Sequence, residues 1–141
     1  MADSKITQTR DQQRAQFAWK FVEKDLGGLG PKDFAIACKN ASARILNAGL
    51  GGALAFSIAK GKESSKTVDM KYLRVSQALA GFLGNDPRQK EEPRAFLEWL
   101  IGQDAMVLRA KTDEAIAVLE WLARVADGKA NAIGDEGSRD D

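Results

Sequence analysis

Apolar residues recur every three to four positions along most of this chain, and no stretch alternates with the period of two that indicates a strand. Thr9 and Gln12 have the spacing of a capping box, which predicts the start of a first helix. Pro31 and Pro93 suit the first position of later helices. We therefore predict an all-α protein, a compact single-domain bundle of about six helices over residues 1–127.

Glycines, prolines and polar runs set the expected helix boundaries. Residues 84–92 are predicted to form a polar loop, and Thr112 is predicted to cap the last helix. Residues 128–141 are small, polar and acidic, so we expect a flexible acidic tail there. The expected helices start or end near Arg10, Gly27, Pro31, Asn47, Leu50, Lys60, Pro93 and Gly102.

Gly49, Gly51 and Gly52 lie in a run that otherwise has a helical pattern. A glycine inside a helix costs roughly 1 kcal/mol relative to alanine, so another interaction must offset this run. One interpretation is a helix break at Gly49, followed by a face of small residues packed against another helix. The alternative is a glycine-rich turn that presents backbone N–H groups to a phosphate. That turn would lack the preceding strand and the following Gly-Lys-Ser/Thr of a phosphate-binding loop.

Composition excludes several classes of function. The chain has no histidine, so it has no Ser-His or Cys-His nucleophile pair and no imidazole metal ligand. Its one cysteine, Cys38, follows apolar residues and is predicted to be a buried thiol. The acids are scattered, and we predict no catalytic site, no metal and no cofactor. The longest uncharged stretch, residues 45–59, is too short to span a bilayer.

Two further features concern location and the large aromatic residues. A single cysteine and an N-terminal segment without an apolar core favour a cytoplasmic protein. Trp19, Trp99 and Trp121 each stand beside aliphatic residues at helical spacing, which predicts a core role. Base stacking on an exposed aromatic ring is the alternative for each of them.

Charge is unevenly distributed although the net charge is only +1. Residues 39–94 carry ten basic and five acidic side chains. An excess of this kind can attract a polyanion, and an ordinary solvated helix face is the alternative interpretation. The densest basic group has only Glu63 and Asp69 among it and consists of Lys60, Lys62, Lys66, Lys71 and Arg74.

Two sequence blocks resemble a known family. Residues 47–56 form a glycine-rich turn leading into Ala-Leu-Ala-Phe, and residues 112–126 read Thr-Asp-Glu-Ala-Ile-Ala-Val-Leu-Glu-Trp-Leu-Ala-Arg-Val-Ala. Arg14 and Ala15 belong to a weaker third match. Together these blocks resemble the small all-helical subunit of the type III-B CRISPR RNA-targeting effector, the Cmr complex. The resemblance covers roughly residues 12–127, and its motifs are packing motifs rather than catalytic ones.

The resemblance implies a non-catalytic structural role. Small subunits of that family stack in several copies beside the backbone subunits and line the channel that holds the guide RNA and target RNA. The implied partners are other Cmr effector subunits, further copies of this chain, and both RNAs, with no membrane and no small-molecule substrate. Lys and Arg would neutralise phosphates without reading sequence. The alternative is a helical protein–protein interaction module without nucleic-acid contact.

The predicted RNA-binding residues come from charge density first and from the resemblance second. Arg14 and Arg124 match family positions, but a structural or inter-subunit salt bridge would explain either of them equally well. The first-rank residues are Lys60, Lys62, Lys66, Lys71 and Arg74, and the second-rank residues are Arg14, Lys20, Arg44 and Arg124.

Overall fold

A computed structural model describes residues 8–139 of the chain, with side chains described through residue 134. Within that range the backbone forms α-helices and no strand, which confirms the all-α prediction. The helices are α1 (Arg10–Lys24), α2 (Pro31–Lys60), α3 (Thr67–Leu83), α4 (Pro87–Glu91), α5 (Pro93–Leu100) and α6 (Ala105–Arg139).

Local sequence signals set most helix starts. The Thr9 hydroxyl accepts the Gln12 backbone N–H at 3.1 Å, and the Gln12 side chain accepts the Thr9 N–H at 2.8 Å, so the capping box is confirmed. α2 and α5 begin at Pro31 and Pro93, where the missing proline N–H removes no helical hydrogen bond. Asp104 accepts the Val107 N–H at 3.0 Å at the start of α6.

Three predicted boundaries differ from the structure. The polar loop expected at 84–92 contains α4, whose first turn is capped by Asp86 accepting the Gln89 N–H at 2.8 Å. Thr112 is inside α6 rather than at its start, and its hydroxyl donates to the Leu108 carbonyl at 2.7 Å. Helical backbone also continues through residue 128 to Arg139. The flexibility expected for residues 128–141 stays a prediction, and residues 140–141 lie outside the described residues.

The core lies mainly between α2 and α6, with α3 packed on α2 and α1 packed on α6. Fully buried apolar side chains from α2 and α6, such as Leu54 and Leu119, fill this space. A row of aromatic rings joins α1 to the neighbouring helices. The Phe21 ring lies 5.5 Å from Phe34 in α2, and the Phe17 ring lies 5.3 Å from Phe82 in α3.

A sharp reversal at Gly49 divides α2 into two halves, residues 31–48 and 50–60. Gly49 has φ 81° and ψ 163°, a combination that is essentially restricted to glycine. Ala37 and Ser57 line the same pocket, although twenty residues of straight helix would separate them by about 30 Å. The second half of α2 therefore folds back beside the first. This result confirms the predicted break at Gly49.

The glycines after the break do not form a packing face, so that part of the prediction is wrong. Among the described residues, a Cβ at Gly51 would meet nothing within 4 Å, and one at Gly52 would make only an ordinary contact with the Ala48 Cβ, 3.5 Å away across the break at Gly49. The close approach occurs instead at Gly61, the C-cap of α2. A Cβ there would lie 2.5 Å from the backbone nitrogen of Leu73 in α3. This contact brings the end of α2 against the middle of α3.

Alanine at Gly52 and alanine at Gly61 should have opposite effects. Gly52→Ala should stabilise the protein by about 0.5–1 kcal/mol, because the position is helical and open and glycine is entropically costly there. Gly61→Ala should destabilise it by about 1–3 kcal/mol or more, because the new methyl group meets backbone that has no free space. Urea unfolding of both variants measures the two changes. Equal changes in the two free energies would contradict the packing described here.

Candidate nucleic-acid interface

The reversal of α2 places basic side chains over aromatic rings. The guanidinium carbon of Arg44, in the first half of α2, lies 4.1 Å from the ring centroid of Phe56, in the second half. Tyr72 of α3 meets Phe56 edge to face, with ring centroids 5.4 Å apart. The Lys60 ammonium lies 5.8 Å from the same Phe56 ring. Cation–π contacts of this kind hold long basic side chains in place while leaving their N–H donors available.

A pocket of about 110 Å³ opens beside this cluster, between the two halves of α2 and α3. Its charged lining groups, Arg44 and Lys71, are both cationic, and no carboxylate of residues 8–134 lines it. The remaining lining combines polar and apolar groups: Ala37, Asn40, Ala41, Ser57, Val68, Tyr72 and Val75.

Five basic side chains, two that line the pocket and three between the end of α2 and the start of α3, carry no ion pair within residues 8–134, the part of the chain whose side chains are described. Three of them are exposed, and Arg44 and Lys71 are half-buried. We call this surface the α2–α3 basic face, and it consists of Arg44, Lys60, Lys62, Lys66 and Lys71. It unites four first-rank residues of the sequence analysis with one second-rank residue.

Arg74 does not belong to that face, contrary to the sequence-based prediction. Its side chain is only 8 % exposed and pairs with Glu63 at 3.0 Å. Its Nε donates to the Leu26 carbonyl at 2.9 Å, which ties α3 to the segment after α1. Gly27, with φ 60°, lies against the guanidinium, and an added Cβ there would overlap it. Arg74 is therefore a structural residue, because these contacts use its donors inside the protein.

Arg14 is also committed to an internal contact. Its Nη2 donates to Glu114 of α6 at 2.7 Å, and Arg10 donates to the same carboxylate at 2.8 Å. Partial burial opposes ionisation of Glu114, but the hydrogen bonds and charges of both arginines outweigh it and lower its pKa. The hydrogen bond to Glu114 in turn raises the pKa of Arg14. The salt-bridge interpretation of Arg14 is the one that this geometry supports.

The other two second-rank residues, Lys20 and Arg124, lie on α1 and α6 rather than on α2 or α3. Lys20 is exposed on α1. Arg124 is exposed on α6, 3.8 Å from Glu120 and with its guanidinium carbon 5.6 Å from the Trp121 ring centroid. No described contact places either residue beside Arg44 or Lys71. The nine predicted positions therefore do not form one surface.

The aromatic predictions are partly wrong. Trp19 is 61 % exposed, whereas Trp99 and Trp121 are half-buried against the core. With Val125 and Ile133 of α6, Trp19 lines a groove of about 550 Å³ whose rim carries the pair of Glu23 and Lys129, 3.4 Å apart. We call this groove the Trp19 groove. The apolar pattern that predicted core burial for Trp19 reflects a solvent-facing apolar surface instead.

Two further sequence-based expectations concern reactivity and membranes. Cys38 is fully buried, as predicted, and burial raises the pKa of its thiol, which disfavours a reactive thiolate. Among the helices described above, none combines the length and apolarity that a bilayer crossing requires.

The sequence also matches a known family profile. Residues 10–129 match the family described as CRISPR-associated protein (Cas_Cmr5). The chain belongs to the Cmr5 family. This result confirms the resemblance to the small helical subunit of the type III-B Cmr complex, and family membership makes the chain a structural subunit of that CRISPR system.

A solved structure agrees with this family assignment. The fold is similar to the crystal structure of a CRISPR-associated Cmr5 family protein from Thermus thermophilus, with a TM-score of 0.68 and 26 % sequence identity. The similarity covers 86 % of this chain and 97 % of that chain. The shared fold therefore includes most of both proteins.

The sequence blocks that resemble the Cmr5 family meet each other in the structure. Arg14 in the α1 block pairs with Glu114 in the α6 block. One helical turn before Arg14, Asp11 accepts the Trp121 indole N–H at 2.9 Å. That hydrogen bond is the main cause of the lowered pKa of Asp11. These motifs hold α1 against α6 and so contribute to the fold, and none of the motif residues belongs to the α2–α3 basic face.

Sequence reasoning missed four residues of the pocket region: Asn40, Phe56, Ser57 and Tyr72. Basic and aromatic residues do not interleave along the sequence here, because Arg44 and Phe56 are twelve residues apart. The usable signal was the break at Gly49, because a reversal there brings the flanking helical segments together. The pattern alone does not specify the angle of that reversal.

Glu114→Gln should weaken the α1–α6 contact in a pH-dependent manner. A charge-assisted hydrogen bond typically contributes about 1.5–3 kcal/mol, so we expect a loss of about that size at pH 7. The pKa of Glu114 is lowered from its ordinary value of 4.5. Its stabilising contribution is therefore fully present above pH 4.5 and is lost as the pH falls through the lowered pKa. The difference between wild type and variant should shrink across that acidic range in urea unfolding.

Glu120→Gln is the matched control on the same helix. Its carboxylate is exposed and lies 3.8 Å from Arg124, so its removal should change stability by less than about 0.5 kcal/mol. A pH-independent loss at Glu114, or an equal loss at Glu120, would contradict the role assigned to the Arg14–Glu114 pair.

Proposed function

We propose that this Cmr5 family subunit braces RNA within the Cmr complex through the α2–α3 basic face, without catalysing a reaction. The observation that supports this proposal is the concentration of five basic side chains with no carboxylate partner among the described residues. Arg14, Lys39 and Arg74, in contrast, are each paired with a carboxylate. Unpaired cations on one surface remain available to phosphates.

The mechanism is electrostatic. Lys and Arg side chains neutralise phosphates and release condensed counterions, and neither step depends on base sequence. Sequence reading is left to base pairing between guide and target, as in other guided effectors. Since the whole chain carries a net charge of only +1, one copy should bind RNA weakly. Further copies of the chain stacked along the complex would act as one multivalent surface.

The proposal includes partners and location. The partners are other Cmr effector subunits, further copies of this chain, guide RNA and target RNA, in the cytoplasm. It involves no cofactor, metal or small-molecule substrate. A chain without histidine lacks the commonest general acid–base group, which agrees with a bracing rather than a catalytic role.

A second candidate function is a protein-binding module without RNA contact. The Trp19 groove favours it. Trp19 is 61 % exposed, and tryptophan is enriched among the residues that contribute most to protein–protein binding. We assign this groove to another subunit of the Cmr complex, in keeping with family membership. Protein contact through the groove and RNA contact through the α2–α3 basic face are compatible, and separate variants test each.

The double variant Lys62→Glu/Lys66→Glu should weaken RNA retention by the reconstituted Cmr complex. Both side chains are exposed, so protein stability should hardly change. The slope of log K against log salt should fall by about 1 for each phosphate contact that the substitutions remove. Filter binding of target RNA across a salt series measures both quantities.

Lys24→Glu/Lys32→Glu is the control for net charge. These lysines are also exposed and form no ion pair within residues 8–134, but they lie outside the α2–α3 basic face. The proposal requires that the control retain RNA like wild type. An equal loss in both double variants would indicate a general charge effect, and no loss in either would reject RNA contact at this face.

Trp19→Ser should reduce incorporation of the chain into the Cmr complex. The exposed ring contributes little to folding, so the free energy of unfolding should change by less than about 0.5 kcal/mol. Leu46→Ser is a control, because Leu46 is 75 % exposed on α2 and does not line the Trp19 groove. Co-purification with a tagged partner subunit measures incorporation. Equal incorporation of both variants would reject the groove as a subunit contact.

A further inference from the structure

The pocket between the halves of α2 and α3 has the composition of an anion site. Arg44 and Lys71 supply two positive charges to its lining, and no acidic side chain of the described part of the chain lines it. Both side chains are half-buried, and neither has a carboxylate partner among residues 8–134. Two partly desolvated cations that share one concave space repel each other. A bound anion relieves that repulsion.

Arg44 is already held in position before any ligand binds. Its guanidinium carbon lies 4.1 Å from the ring centroid of Phe56 and 5.9 Å from that of Tyr72. Cation–π contact with a ring face does not use the N–H donors of the guanidinium. A pre-positioned planar donor set loses less entropy per hydrogen bond than a free side chain does, and its geometry matches phosphate oxygens.

Ser57 provides an independent observation. It is only 3 % exposed and lines the pocket, yet its hydroxyl forms none of the side-chain hydrogen bonds present among residues 8–134. Two other helical hydroxyls, by contrast, donate to backbone carbonyls of their own helix: Ser76 to Leu73 at 2.8 Å, and Thr112 to Leu108 at 2.7 Å. Among the described residues, every side-chain N or O atom that is fully enclosed has a hydrogen-bond partner. The Ser57 hydroxyl has no such partner, so it is not fully enclosed, and the open space that it lines is the pocket. It can donate a hydrogen bond to an acceptor bound there.

The size of the pocket limits the ligand. Its volume of about 110 Å³ exceeds the roughly 10–15 Å³ that one water requires, so several waters or one small anion can occupy it. It is smaller than the roughly 300–1,000 Å³ sites that enclose whole drug-sized ligands. A single phosphate group satisfies the charge, donor and size requirements together, while the rest of a nucleotide would remain outside.

We propose that this pocket receives one phosphate group of the RNA backbone, held by Arg44, Lys71, Asn40 and the Ser57 hydroxyl. The proposal rests on the proposed function and states where one of its phosphate contacts is made. Arg44 and Lys71 neutralise the phosphate charge, and Asn40 and Ser57 donate neutral hydrogen bonds. The exposed lysines of the α2–α3 basic face then contact neighbouring phosphates.

Amide chemical shifts of the full chain test the pocket directly. The probes are inorganic phosphate and the diribonucleotide uridylyl-uridine, which has one internal phosphodiester, each titrated at constant ionic strength against sodium chloride. Both probes should shift the same amides, those near Asn40, Ser57 and Tyr72, with saturation. Shifts that rise without saturation or that spread over all surface lysines would overturn the pocket. Saturable binding of phosphate without any uridylyl-uridine effect would overturn the RNA source and leave a small-anion site.

Two conservative variants identify the groups involved. Lys71→Gln shortens the side chain only slightly and removes its charge, and it should weaken phosphate binding by about 10-fold. Ser57→Ala removes only the hydroxyl and should weaken it several-fold. Lys66→Gln, outside the pocket on the same face, should leave phosphate binding unchanged. If Lys66→Gln and Lys71→Gln have equal effects, the affinity comes from the surface as a whole and the pocket proposal fails.

Failure of the pocket is distinguishable from failure of the proposed function. If Lys62→Glu/Lys66→Glu reduces RNA retention while no saturable phosphate binding occurs, the α2–α3 basic face binds RNA and the pocket assignment is wrong. If phosphate binds the pocket but that double variant and Lys71→Gln both retain RNA in the complex, the RNA-bracing function is wrong.

Discussion

The backbone conformation of Gly49 is the constraint on which the candidate site depends. Its φ of 81° with ψ of 163° is accessible essentially only to glycine, and it reverses α2 within one residue. The reversal places Arg44 against Phe56 and brings Ser57 into the pocket that Ala37 lines. The backbone contact of Gly61 with Leu73 then holds the second half of α2 against α3. In a straight α2, Arg44 and Phe56 would be about 18 Å apart along the helix axis.

Local charge density alone does not distinguish structural arginines from available ones. Arg74 and Lys71 are three residues apart on α3, yet Arg74 is buried with Glu63 and the Leu26 carbonyl whereas Lys71 opens into the pocket. Arg14 likewise serves the α1–α6 contact through Glu114. Burial requires that a charge be paired, and the partners come from segments distant in sequence. Lys60, Lys62, Lys66 and Lys71 are therefore exposed or line the pocket, whereas Arg74 is buried and paired, and RNA contact by the first-rank residues stays a prediction.

The motifs that identify the Cmr5 family have a structural explanation. Glu114 and Trp121 of the α6 block meet Arg14 and the neighbouring Asp11 of α1, so these side chains hold the two helices together. Such motifs restrict a chain to one fold because each position has a specific partner. Contact with phosphates imposes no comparable restriction, since any exposed Lys or Arg can neutralise one. Packing positions can therefore identify the family, while those motifs do not specify the residues proposed to contact RNA.

The sequence by itself determined the helical class, the Thr9–Gln12 cap, the proline starts of α2 and α5, the break at Gly49 and the burial of Cys38. Each of these follows from local chemistry: a cap, a fixed φ, a missing Cβ or an apolar segment. Only the tertiary structure decided that Trp19 faces outward, that Gly61 rather than Gly52 is tightly packed, and that Arg44, Ser57 and Lys71 share one pocket. Those outcomes depend on the angle at which distant segments meet, and residue spacing does not encode that angle.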